Sequence, residues 1–179
     1  MLDGLHLPEP WHGDIHAALR LIDGISAEIA QLDSELISDA KRHPDVPLLM
    51  TAPGIGWILG YTIGAEIGDI TRFASPTKLC GYTGLCPRVY QSGERDHRGS
   101  LAKAGPKYLR WALIEAATNA CRHPAYAERY HRTKQRLGRG RGKHVARVDV
   151  ARRLTEAIWY MLSRREPFAP APANDKAAA

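Results

Sequence analysis

Cysteine is scarce in this 179-residue chain, and the three that occur, Cys80, Cys86 and Cys121, form no CxxC pair. Their odd number argues against a disulfide framework, and their spacing suits no common zinc site. Reduced thiols in a cytoplasmic protein are the expectation. Long apolar runs are also missing. The best of them, Trp57 to Ile67, is interrupted by glycines, Thr62 and Glu66, and it falls short of the roughly 20 apolar residues that cross a bilayer. No membrane partner is expected. The opening MLDGLHLPEPWHGD is acidic and broken by proline, unlike a secretory leader. There is no Walker loop, no HExxH and no carboxylate pair in a strand context, and the eight histidines are scattered. P-loop and zinc-protease chemistry are thereby excluded, and no metal or cofactor site is expected within the chain.

What is present is unevenly distributed. Residues 1–87 hold 5 Lys/Arg against 11 Asp/Glu, whereas residues 88–165 hold 19 against 6. A half-chain that basic points to a polyanionic partner, nucleic acid first. With 44% apolar residues the chain can bury one compact core and carry an appendage.

The appendage comes first. Ile15, Ile22, Ile29 and Leu36 recur every seven residues, with Ala18, Ile25 and Leu32 in the second seam position. That heptad pattern predicts a coiled-coil-like helix over 14–40, capped by Asp14 and ended by His43-Pro44. Self-association through this helix and packing of the helix on its own domain both remain open. Next, Pro53-Gly54-Ile55-Gly56 separates two short apolar segments. This resembles a helix-hairpin-helix, in which Gly54 and Gly56 would let a phosphate approach the backbone and the N-terminus of the following helix. A plain helical turn without ligand stays possible.

Ser75-Pro76 starts a short helix running to about Tyr82. Leu85 to Gly93 reads as an extended piece ending in a turn, and Glu94 to Lys103 as a loop or returning strand. Gly105-Pro106 opens a helix whose apolar face is Leu109, Ala112, Leu113, Ala116 and Ala120. Residues 132–147 hold seven Lys/Arg and three glycines with no core pattern, which predicts a basic loop facing phosphates through Arg139, Arg141 and Lys143. A last helix is expected over 148–165. The fold class is therefore mainly α, with a small extended or hairpin insertion around 86–102. The expected division is 1–45 coiled-coil-like segment, 46–165 main domain and 166–179 disordered tail.

One constellation could carry chemistry: Arg88, Gln91-Ser92-Gly93, Arg95, Arg98, Lys103 and Arg110. A serine at a glycine turn is exposed, and surrounding cations would neutralise a phosphodiester that its hydroxyl attacks. Taken alone, Ser-Gly turns are mostly only turns.

In order and spacing, several pieces together are more specific: Pro53-Gly54-Ile55-Gly56, Ala65 to Ile70, Phe73, Gly81 to Leu85, Pro87-Arg88, Gln91-Ser92-Gly93, Lys103-Ala104-Gly105 and Leu109-Arg110, then more loosely Ala151 to Leu154 and Trp159 to Leu162. This set resembles the C-terminal domain of transposases of the insertion-sequence-110 type and the related pilin-gene invertases. The resemblance implies DNA transposition or site-specific recombination, with DNA and a structured guide RNA as partners and Ser92 in the position of a nucleophile that links covalently to DNA. Arg88, Arg95 and Arg98 would then contact phosphate, with Lys103 and Arg110 behind them. Ser100 lies nearby, in the run before Lys103-Ala104-Gly105, and is the less favoured serine. The resemblance also implies an acidic RNase-H-like domain holding magnesium, joined through a coiled coil. Met1 stands almost directly before the heptads, so that domain is expected to be absent from this chain. Two rivals remain: a non-catalytic DNA- or RNA-binding module, and a helix-hairpin-helix nuclease or glycosylase whose only local acids are Glu66 and Asp69.

Overall fold

The computed structural model describes residues 11–92, 95–138 and 140–169, with the side chains of residues 89–98 outside that description. The chain is mainly α. In order come α1 (Trp11–Arg42), α2 (Val46–Leu49), α3 (Trp57–Ile67), a 3-10 turn (Ile70–Arg72), α4 (Pro76–Thr83), β1 (Pro87–Ser92), β2 (Arg95–Leu101), α5 (Lys107–Ala120), α6 (Pro124–Leu137) and α7 (Gly142–Arg164).

The core forms where α5 packs on both α3 and α7, with α4 and α6 added against α7. The apolar face read for α5 is the buried one: Leu109, Ala112, Leu113, Ala116 and Ala120 are fully covered, joined by Ala117. Small alanines let the helices approach closely, and Leu154, Ile158, Ile63 and Leu79 fill the remaining volume. Each such buried Leu or Ile stabilises the body by about 1.5–3 kcal/mol. Trp159 adds a directional contact, its indole N–H donating to the Phe73 carbonyl at 2.8 Å.

Helix α1 behaves differently along its length. Its C-terminal end is pinned: Ala40 is buried, and the His43 ring lies so close to Gly64 that a Cβ there would sit 2.9 Å from His43 Cε1. Further toward the N-terminus the seam has no cover. Leu21, Ile22, Ile25, Ile29 and Leu32 are 52–68% exposed. Packing on its own domain therefore accounts for the last turns of α1 and not for the heptads.

One expectation needs correction. The stretch 132–147 is not a loop. Residues up to Leu137 finish α6 and residues from Gly142 begin α7, so only 138–141 connect them. The N-terminal start of α6 is set by His123, whose Nδ1 accepts from Ala125 N–H at 3.2 Å, and by Pro124 behind it. Tyr126 and Tyr130, one helical turn apart, are its buried anchors, too few to register as a period in so charged a segment. Arg129 then binds Asp149 through two hydrogen bonds of 2.6 and 3.2 Å, tying α6 to α7. Of the expected tail, residues 166–169 are described and 170–179 lie outside the described residues. Phe168 packs near His123 and Tyr126, and its N–H donates to Thr51 Oγ1 at 2.9 Å.

Candidate nucleic-acid interface

The expected insertion is an antiparallel ribbon. β1 and β2 pair with each other, with Val89 opposite Arg98, Tyr90 opposite His97, Gln91 opposite Asp96 and Ser92 opposite Arg95, and with an irregularity between Pro87 and Val89. Ser92 and Arg95 are thus the last described pair before residues 93–94. Alternation along a strand puts positions 90, 92, 95 and 97 on one face of the ribbon, and 89, 91, 96 and 98 on the other. Arg95 therefore shares the face of Ser92. Arg98 stands opposite Val89 in the same register.

The root of the ribbon is tightly built. Gly84 caps α4 with φ +69°, and a Cβ there would lie 2.0 Å from the Ala104 carbonyl oxygen. Gly105 has φ +97°, and its Cβ would lie 1.9 Å from the Tyr82 oxygen. Only glycine tolerates both the backbone conformation and the approach, so the strand entering and the strand leaving are held backbone to backbone. Ala102 N–H donates to Cys86 O at 2.9 Å and Lys103 N–H to Gly84 O at 3.2 Å. Arg110 is part of this clamp. Its Nη1 donates to Thr83 O at 3.2 Å, at the negative end of α4. Arg88 is exposed, with Nη2 at 3.5 Å from Ala102 O. Lys103 is exposed and its backbone is left-handed at φ +53°, a conformation costing about 1–3 kcal/mol for a non-glycine residue.

The two glycines of the helical hairpin part ways. Gly54, at φ +83°, packs on α5: a Cβ would meet Ala116 O at 2.2 Å. Its missing side chain serves the close approach of α5. Gly56 is exposed, with open space where its Cβ would be, and it caps α3 in an extended conformation without a side-chain cap. The N–H groups at the start of α3 therefore stay available.

At the α6–α7 end, Arg132, Lys134, Arg136, Arg141 and Lys143 are all exposed or partly so. Arg139 lies outside the described residues. Arg141 is the N-cap of α7 and makes no side-chain cap bond, with Lys143 one residue inside the helix. Basic residues at a helix N-terminus oppose the macrodipole, an arrangement that an anion would relieve. Gly142 is required here because its Cβ would fall 2.4 Å from Lys134 O.

Asp69 is engaged in a local cap. Its Oδ1 accepts from Thr71 N–H at 2.9 Å and its Oδ2 from the Thr71 hydroxyl at 2.8 Å, capping the 3-10 turn. Those bonds, the backbone one first, hold its carboxyl below the ordinary 3.8. The acid that the helix-hairpin-helix nuclease reading would use is thus held in that cap. Cys80 is buried, and burial pushes its thiol up to about 12, as for a structural rather than a reactive cysteine. Among the described residues no three His, Cys, Asp or Glu side chains converge as metal ligands, and no helix is long and apolar enough to cross a membrane.

One feature near the ribbon has no signal in the sequence beyond the helical period. With Leu109, Ala112, Leu113 and Ala116 turned inward, the same helical wheel turns Tyr108 and Trp111 outward, and both are half exposed.

Residues 46–132 match the model of the transposase family IS116/IS110/IS902. The chain is 29% identical over 141 residues to the transposase for insertion sequence element IS1111A of Coxiella burnetii, covering 78% of this chain and 39% of that protein. It is 27% identical over 165 residues to a probable family 20 transposase of Pseudomonas aeruginosa, covering 92% and 49%. It is 31% identical over 150 residues to the pilin gene-inverting protein of Moraxella bovis, covering 80% and 46%. The chain thus spans less than half the length of these relatives.

Proposed function

We propose, from the match of residues 46–132 to the model of the transposase family IS116/IS110/IS902, that this chain is the DNA-handling part of a transposase or site-specific recombinase, with Ser92 as its nucleophile. In that reaction the Ser92 hydroxyl attacks a DNA phosphorus. A P–O bond to a deoxyribose oxygen breaks, the strand end remains on serine as a phosphodiester, and the hydroxyl proton passes by way of a base to the departing oxygen. Arginines stabilise the developing charge and cannot take the proton.

The observation that supports this most is the ribbon itself. Ser92 stands opposite Arg95 at the far end of two strands whose root is fixed by Gly84, Gly105 and Arg110. A rigidly rooted arm carrying a hydroxyl and a cation suits delivery of a nucleophile to a phosphate. Arg88 and Lys103 at the root, Gly56 at the start of α3, and Arg139, Arg141 and Lys143 between α6 and α7 serve as phosphate contacts for DNA and for a structured guide RNA. The wet seam of α1 takes a second copy of the chain. In this reading the chain grips the strand and presents the hydroxyl.

The test is an adduct assay, supplying the acidic domain and magnesium that the family resemblance implies. A denaturant-resistant protein–DNA adduct should form and map by peptide mass to Ser92. Ser92→Ala should retain DNA affinity and lose the adduct, and Ser100→Ala should keep both. An adduct that maps to Ser100 overturns the nucleophile assignment. Tight binding with no adduct under any condition makes the chain a binding module instead.

A further inference from the structure

Tyr108 and Trp111 leave 57% and 50% of their surface exposed, on the outer face of α5 in its first two turns. Residues three apart on a helix are surface neighbours, so the two rings make one aromatic strip. Its setting is cationic. Lys107 Nζ lies 4.7 Å from the Tyr108 ring centroid. Lys103, in its left-handed conformation, links the ribbon to this helix two residues after the last strand residue, Leu101. Among the described residues, Arg88, Lys103 and Lys107 have no carboxylate partner.

Two rings are far too little for a protein partner, since stable protein interfaces bury on the order of 1,200–2,000 Å² in total. Flat aromatic faces beside unpaired cations match a different ligand, an unstacked base whose phosphates the cations hold. Bases inside a duplex already stack on one another and cannot offer a face.

We propose that Tyr108 and Trp111 form a stacking platform for unpaired bases of a nucleic acid, next to the root of the ribbon, with Lys103 and Lys107 on the adjoining phosphates. The platform would receive single-stranded DNA or an RNA loop beside the strand held by the ribbon. It rests on the nucleic-acid reading above.

The test compares two ligands on the full chain: a blunt DNA duplex, and the same duplex with a single-stranded overhang. Wild type should bind the overhang-bearing DNA more tightly. Tyr108→Ala and Trp111→Ala should each weaken that binding roughly tenfold and change blunt-duplex affinity less than twofold, while Trp111→Phe should recover most of the loss. Both positions are exposed, so circular dichroism and melting temperature should stay unchanged. Equal losses on both ligands, or no loss on either, overturn the platform while leaving nucleic-acid binding intact. Altered sedimentation with binding unaffected makes the strip a protein contact and also overturns it. A wild-type chain that binds neither ligand fails the broader reading first.

Discussion

The two longest helices carry comparable apolar stripes and meet opposite surroundings. In α7, Val150, Leu154, Ile158, Met161 and Leu162 are at most 3% exposed. In α1, 32 residues long, Ala40 is the only fully buried one. Their flanks differ as well. With Ile22 and Ile29 at one seam position and Ile25 and Leu32 at the other, Glu28, Asp33 and Glu35 border the α1 seam. Arg141 and Lys143 open α7. A periodic stripe thus specifies that something will cover a helix, and the neighbouring charges say what kind of solution conditions that cover tolerates. The acidic seam and the basic end should answer salt in opposite directions.

The largest effect should come from the α7 core. Leu154→Ala should cost about 2–5 kcal/mol, as truncation of a fully buried leucine does, read by urea unfolding. Ile25→Ala in α1 should cost less than about 1 kcal/mol at protein concentrations low enough to keep the chain monomeric, because its side chain is 60% exposed. Equal costs would erase the distinction between the helices.

Assembly sharpens the comparison next. Ile22→Asp with Ile29→Asp should convert a dimer to monomer in sedimentation without lowering the melting of the helical body. The wild-type dimer should tighten with added salt, since screening relieves repulsion between the acidic flanks. A wild-type chain monomeric at every concentration would sink the second-copy assignment.

Nucleic-acid affinity should move the other way and fall with salt. Arg141→Ala with Lys143→Ala should weaken binding and make the log–log salt slope shallower by about 2, one for each phosphate left without its cation. Adding Arg139→Ala should extend the change by about one more. An unchanged slope would mean that the α6–α7 end does not touch phosphate.

The smallest effect belongs to Asp69. Its carboxyl is held below 3.8 by the Thr71 bonds, so its contribution is complete above the unfolded-state value and is lost as pH falls through the lower folded-state value. The stability difference between wild type and Asp69→Asn should be greatest at neutral pH and vanish in acid. A difference independent of pH would show that the charged form makes no contribution.

Much of the fold was legible because local rules act within a few residues. Ser75, accepting from Lys78 N–H, and Pro76 mark the start of α4 where the sequence puts it, and the buried residues of α5 are those of the periodic face. The α6–α7 junction was not legible. Its glycines and cations resemble a loop by composition, while the Arg129–Asp149 pair and the Gly142–Lys134 backbone approach are separated in sequence by 20 and 8 residues. The candidate site shows the same division. Ser92 and the cations could be named from residue types and from the family pattern, whereas the pairing of Ser92 with Arg95 across the ribbon came only from strand register.

The sequence by itself determined the helical class, the heptad stripe, the charge division and the glycine-flanked serine, since each depends on residue type and short-range periodicity. Only the tertiary structure decided what each feature faces. Gly54 and Gly56 occupy one turn and one motif, yet α5 passes 2.2 Å from a Cβ at the first and nothing approaches the second. Tyr108 and Trp111 stay outside for the same reason: α3 and α7 close over only one side of their helix. Residue chemistry sets what a side chain can do, and distant chain segments set whether core, solvent or ligand meets it.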